Sequence, residues 1–346
     1  MTSSPSQNYL QIPVLGTGGT ISCTHSPEGD LVPTLNCADI VKQARIPQGL
    51  APLPHDIMSI DSSSITLPQI DELVAHIANF CSPVPAGVVV LHGTDTMEES
   101  ALAAACALEL PCPVVFTGAQ RPGDDAAPDG PANLSRAFAA LASGELSAGV
   151  HLVFGDAILP ARGAYKAHTT AETAFRNALD DTGIEDALPE PQDESDESHG
   201  APSPAASTRP PQISSLFVPI ISTYAGDQGQ LIRALREQDP QVGAASAAST
   251  GCPVDGLVLA AMGSGNIPTA VAEELEAWRA ERYTDLPVVI CSRVPEGGVS
   301  FVYGGAGGGA QLARSGFRSG GALRPSQARI ELLYELARTR QSPFTF

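Results

Sequence analysis

The stretch VVVLHGTDTMEES, Val88–Ser100, decides how the rest of the chain is read. An apolar run of strand type stops at His-Gly-Thr-Asp-Thr and gives way to an acidic, helix-forming segment. A strand, a tight turn and a helix opened by Thr96 with Glu99 in a Thr-x-x-Glu capping box account for the glycine and the last threonine. Thr94 and Asp95 are left without a structural task.

Around this stretch, short β-branched runs alternate with amphipathic or Ala-rich patterns. Strands are expected at Ile12–Leu15, Val88–His92, Val114–Thr117 and Leu152–Phe154, with helical patterns such as ITLPQIDELVAHIANF and NLSRAFAALAS between them. This βαβ order predicts an α/β fold: a larger N-terminal lobe with a parallel-rich sheet and helices on both faces. Ligands of such sheets sit beyond the carboxyl ends of the strands, where Thr94 and Asp95 fall.

A compositional break at Glu185–Gln212, rich in Pro, Ser, Asp and Glu, divides the chain into lobes 1–184 and 213–346. It holds too few large apolar residues to offset the entropy of ordering, so 185–212 is expected to be a disordered linker or an enlarged loop. A second, smaller α/β lobe follows, with strands in LFVPIISTY, GLVLAAMGSGN and LPVVICSR, helices in GQLIRALREQ and IPTAVAEELEAWRAE, and a terminal helix capped by Ser326.

The 346 residues are 43% apolar and 16% charged, enough for one large or two ordinary cores. A formal charge of −19 argues against nucleic acid and anionic membranes, which are bound by Lys and Arg. The opening MTSSPSQNYLQIPVLG lacks a basic region followed by an apolar one, and no segment offers the roughly 20 apolar residues of a membrane helix, so a cytoplasmic protein is expected. Seven cysteines, scattered and without a matched C-x-x-C, suggest no metal or disulfide framework; Cys106 and Cys112 read as packed thiols.

The first strand ends in LGTGGTIS, Leu15–Ser22. Ile21 stands where a dinucleotide fingerprint needs its third glycine, and no Walker lysine follows, so no nucleotide cofactor is expected. What remains is Thr17 between glycines, where backbone can approach a ligand closely.

Together GTGGTIS and LHGTDTMEES resemble the bacterial-type L-asparaginases and glutaminase-asparaginases, whose signatures are T-G-G-T-I and H-G-T-D-T-M-E-E. The resemblance continues through DSSSITL (Asp61–Leu67), TGAQRP with DGPANL, LPARGAYKAHTT (Leu159–Thr170), GSGN (Gly263–Asn266) and SRVPEGG (Ser292–Gly298). It implies hydrolysis of L-asparagine to L-aspartate and ammonia, with Thr17 as the primary nucleophile and Thr94, Asp95 and Lys166 as a relay. It also implies Ser62 and Ser63 at the substrate α-carboxylate, Asp95 at the α-ammonium, Ala119 at the side-chain amide, and Asn266 reaching a site from the second lobe. Neither cofactor nor metal is implied, and assembly is expected as a homodimer or homotetramer.

Lys166 has independent support. The chain has two lysines, Lys42 and Lys166, and lysine, unlike arginine, can lose its proton when desolvated. His92 reads as a satisfied buried histidine rather than a base. Two departures from the family leave substrate preference open: CTHSPEGDLVPTLN has no Tyr to orient Thr17, leaving His25 or water, and Tyr303 or Gly304 stands where a Glu follows the R-V-P motif, Glu296 being too early. The alternatives are an amidohydrolase preferring glutamine or another amide, the amidotransferase subunit acting on charged transfer RNA, and a non-catalytic amino-acid-binding protein.

Overall fold

The computed structural model of this chain describes residues 9–180, 209–242 and 253–341. The chain divides into two compact units, Met1–Asn177 and Ala178–Phe346. Of the acidic segment Glu185–Gln212, all but 209–212 lies outside the described residues.

The first unit runs β1 (Leu10–Gly18), a hairpin of β2 (Cys23–His25) and β3 (Leu31–Pro33), α1 (Cys37–Gln43), β4 (Leu50–Ile60), α2 (Leu67–Phe80), β5 (Val88–Leu91), α3 (Met97–Ala107), β6 (Pro113–Thr117), α4 (Gly130–Ser143), β7 (Gly149–Phe154), β8 (Ala157–Pro160), and a hairpin of β9 (Ala164–Lys166) and β10 (Phe175–Asn177). Its main sheet has the order β4-β1-β5-β6-β7-β8. Neighbours are parallel throughout except β8, which returns antiparallel on β7.

All four residues of β5 are fully buried, as a central parallel strand covered on both faces requires. Ile12, Val14, Val89, Leu91 and Val115 meet Ile40 of α1 and Leu134 and Phe138 of α4 in one cluster. The alternate residues Val88, Val90, Val114 and Phe116 are equally buried and face the other way. Helix α2 falls within the pattern ITLPQIDELVAHIANF and opens with a capping box formed by Thr66 and Gln69.

Strand β4 was not legible in the sequence because LAPLPHDIMSI carries Pro52 and Pro54, which weaken a strand reading. The structure places it at the sheet edge, paired on one side only, where proline's missing N–H can face away from the ladder.

The second unit holds β11 (Ile220–Ser222), α5 (Gln230–Gln238), β12 (Leu257–Ala261), α6 (Thr269–Glu281), β13 (Val288–Ser292), α7 (Gly309–Arg314), β14 (Arg318–Ser319) and α8 (Pro325–Gln341). Its four strands form a parallel sheet in chain order. The terminal helix begins at Pro325, so Ser326 lies inside the first turn and is not its cap. Proline suits that position because its ring presets φ and an N–H there would have no intrahelical acceptor. Among the described residues no helix is long and apolar enough to cross a membrane.

Cys112 is buried and faces Cys81, their sulfurs 3.7 Å apart, and Cys106 is half-buried. In the second unit Asp239 is the buried electrostatic centre. Its Oδ2 accepts from Trp278 Nε1 at 2.9 Å and lies 3.1 Å from Arg282 Nε, with both charged side chains almost wholly buried. Removing one partner of such a pair strands the other charge. Asp239→Ala should therefore destabilise the second unit by roughly 3–5 kcal/mol, seen as an early transition in urea unfolding; a midpoint unchanged from wild type would show that the pair carries no stability.

Candidate active site

Thr17 is the penultimate residue of β1, and Thr94 lies three residues past the end of β5, its parallel neighbour. Both are buried, at 1% and 5% exposure, at the carboxyl end of the sheet. The Thr17 hydroxyl donates to the Leu91 carbonyl at 3.0 Å.

Two glycines allow the strand ends to converge. Gly19 has φ of 82°, and a Cβ there would stand 2.4 Å from Gly93 Cα; a Cβ on Gly93 would stand 2.4 Å from Ser62 Oγ. Neither position admits a side chain, so the β1 end and the β5 turn touch backbone to backbone, and the Ser62 side chain from the short 3-10 turn Ser62–Ser64 packs directly on Gly93.

Ser62 is buried in that contact. Its Oγ accepts the Asp95 N–H at 3.3 Å and its carbonyl accepts the Thr96 hydroxyl at 2.8 Å. Thr96 occupies the N-cap position of α3, but its side chain makes no capping bond, so the expected Thr96/Glu99 box does not form. The hydroxyl is committed to Ser62 instead. Ser63 is exposed, and its N–H donates to Asp61 Oδ1 at 3.1 Å.

Lys166 arrives from the β9–β10 hairpin, where it pairs with Phe175. Its backbone N–H donates to Glu98 Oε2 at 2.5 Å, and its Nζ lies 2.8 Å from Thr94 Oγ1 and 2.6 Å from Asp95 Oδ1. The lysine side chain is 17% exposed and the aspartate 56%. At these distances an ammonium donates to both oxygens, while an amine could instead accept the Thr94 proton. Thr94 Oγ1 also reaches Gln120 Oε1 at 3.5 Å. Gln120 and Arg121 are held through their backbone N–H groups by the buried carboxylate of Asp129. A hydroxyl, an amine and a carboxylate in contact beside a second buried hydroxyl are the parts that acyl transfer from an amide requires.

Comparison with known proteins identifies the family of the chain. Residues 11–183 match the model "Asparaginase, N-terminal" and residues 217–343 the "Glutaminase/Asparaginase C-terminal domain". A probable L-asparaginase of Deinococcus radiodurans is 33% identical over 93% of this chain and 92% of its own length. The chain belongs to the asparaginase family. A glutaminase-asparaginase of Pseudomonas aeruginosa is 31% identical over 52% of each chain. The crystal structure of a probable cytoplasmic L-asparaginase from Campylobacter jejuni superimposes with a TM-score of 0.70 at 28% identity, covering 93% of both chains. The protein is thus an amidohydrolase of the two-domain asparaginase fold.

Of the residues expected from the sequence, Thr17, Ser62, Thr94, Asp95 and Lys166 are gathered around the β1 and β5 ends. Ala119 is buried just past β6. Asn266 belongs to the second unit, where its Oδ1 accepts the Gly309 N–H at 3.2 Å. His25 does not orient Thr17 by default: it is exposed, and its Nδ1 is 3.0 Å from Asp124 Oδ1. Tyr303 is 59% exposed in the second unit. Sequence reasoning missed Glu98, Gln120 and Thr96. Glu98 and Thr96 sit inside the H-G-T-D-T-M-E-E signature and Gln120 follows Ala119, so position in a motif was the available signal.

His92 is fully buried, and its Nδ1 lies 2.8 Å from the Gly93 carbonyl. Burial lowers its pKa to about 4 against an ordinary 6.5, the hydrogen bond offsetting this only in part. The folded state therefore keeps His92 neutral where the unfolded chain takes a proton. Its contribution is fully present above pH 6.5 and is lost as pH falls toward 4, roughly 2–3 kcal/mol by pH 4.5. His92→Gln should flatten the fall in Tm between pH 7 and 4.5; an acid slope equal to wild type would assign that loss to other groups.

Proposed function

We propose that the protein hydrolyses L-asparagine to L-aspartate and ammonia through a threonine nucleophile and an acyl-enzyme. The observation that carries this reading is Lys166 Nζ in hydrogen-bond contact with both Thr94 Oγ1 and Asp95 Oδ1. In the proposed sequence Thr17 attacks the carboxamide carbon and ammonia leaves, giving a β-aspartyl ester. Thr94, polarised by Lys166, then draws a proton from the water that cleaves the ester. The exposed carboxylate of Asp95 holds the substrate α-ammonium, and the hydroxyls of Ser62 and Ser63 receive its α-carboxylate. The Ala119 backbone contacts the side-chain amide. Binding of an amino acid without turnover would need no lysine against a second hydroxyl, which disfavours a purely non-catalytic role.

The glutaminase-asparaginase relative keeps glutamine as the second substrate to test. As parts of the same proposal, the lobes are 1–184 and 213–346 joined by the acidic segment 185–212, the protein acts as a homodimer or homotetramer, and it works in the cytoplasm without cofactor, metal or nucleic acid.

Ammonia release from asparagine, from glutamine and without substrate is the first measurement; release from neither amide would sink the proposal. Thr17→Ala and Thr94→Ala should each remove most turnover with the fold kept. Acid-quenched wild type should carry an aspartyl adduct on the Thr17 peptide, whereas an adduct on Thr94 would exchange the two roles.

For Lys166, two substitutions separate charge from basicity. Lys166→Arg keeps the charge and cannot accept a proton, while Lys166→Met gives up both. A base role predicts losses on the order of 10²–10⁴ in both, in kcat more than KM. Substantial turnover in the Arg variant alone would mean that charge suffices, and the relay would have to be withdrawn. Deleting Asp193–Ser207 should leave ammonia release and the light-scattering mass little changed; loss of both would overturn the linker assignment.

A further inference from the structure

Cys81 closes α2, and Cys112 stands one residue ahead of β6, with their sulfurs 3.7 Å apart. Neither thiol takes part in the amide chemistry. They lie where β5 and β6 begin, at the opposite end of the parallel strands from Thr17 and Thr94. We propose that Cys81 and Cys112 form a redox modification site, a dithiol that hydroperoxides convert to an intrachain disulfide.

The geometry is close to what the bond needs. A disulfide brings its sulfurs to about 2.0 Å, so the pair must close by about 1.7 Å. Cys81 is 6% exposed and Cys112 3%, and the chain beside them is open to solvent at Ser82, Pro83 and Pro111, with Val84 62% exposed. A molecule as small as hydrogen peroxide suits such a site better than a bulky disulfide reagent.

Selectivity follows from the pairing. Burial, with the Asp56 and Glu331 carboxylates adding to it, pushes the thiols of Cys37 and Cys291 up to about 12, which leaves almost no thiolate to be oxidised. Between Cys81 and Cys112 the hydrogen bond works against burial: once Cys112 is ionised, the Cys81 thiol donates to it, which lowers the Cys112 pKa and raises that of Cys81. In the proposed reaction Cys81 is the resolving sulfur and the attacking one is Cys112.

Its thiolate displaces hydroxide from the peroxide, breaking the O–O bond and forming a sulfenic acid. The Cys81 sulfur then attacks the Cys112 sulfur, the S–O bond breaks, and the Cys81 proton leaves with the oxygen as water. Two thiols and one hydrogen peroxide give one disulfide and two waters. The ring closed between residues 81 and 112 encloses β5, the His-Gly-Thr-Asp-Thr turn and α3, so the crosslink would staple the base of the segment whose far end carries Thr94.

The full-length protein should be treated with hydrogen peroxide, its remaining thiols alkylated, and its peptides mapped by mass. A Cys81–Cys112 crosslink is expected, two hydrogens lighter than the separate peptides. Tm should rise by about 5–10 °C, with the rise reversed by reductant. Ammonia release should stay within about twofold of the reduced protein. Cys81→Ala and Cys112→Ala should each abolish the crosslink and the rise in Tm, while Cys106→Ala should keep both. The proposal is overturned if Cys81 and Cys112 are both recovered alkylated after peroxide treatment, if either is found joined to another cysteine, or if their crosslink forms only in urea. The wild-type map decides the matter even if a buried alanine variant fails to fold.

Discussion

The contact of backbone with backbone at Gly19 and Gly93 is the constraint on which the rest of the site depends. With no side chain tolerated at either position, the end of β1 lies against the turn after β5, and Ser62 is pressed into the same junction. The consequences are local hydrogen bonds. Thr17 finds the Leu91 carbonyl, Asp95 hangs its N–H on Ser62, and Thr96 gives up capping α3 to hold the Ser62 carbonyl. A parallel sheet places strand ends side by side, but their close approach comes from the glycines.

Charge is handled in two contrasting ways. In the second unit the Asp239–Arg282 pair is almost fully dry and braced by Trp278, which suits a structural pair whose disruption leaves a charge uncompensated. At the candidate site Lys166 is only partly shielded and Asp95 is more than half exposed. Water and a substrate ammonium can reach the second pair and not the first. Between these extremes stands His92, kept neutral by burial one residue before Gly93. The placement leaves Lys166 as the basic side chain in contact with Asp95.

Strong periodicity and specific motifs were enough to read much of this protein from its sequence. The apolar run Val88–Leu91, the alternating helices and the acidic break gave an α/β fold in two lobes, because buried parallel strands and amphipathic helices leave opposite hydrophobic periods. The glycine-threonine turns, read beside the family resemblance, gave Thr17, Thr94 and Asp95 as candidates. Where local rules conflict with tertiary demands, the sequence misled: β4 was hidden by Pro52 and Pro54, Thr96 was read as a capping residue, and Ser326 was placed one residue outside the helix it sits in. Each depends on what lies across space rather than along the chain. The family resemblance named Lys166 beside Thr94, 72 residues earlier, while the tertiary structure alone decided the contact by which they meet, that Glu98 pins the lysine's backbone, and that Cys81 faces Cys112. Such contacts are set by how a hairpin or a helix end docks on a sheet, a global packing outcome that no window of sequence encodes.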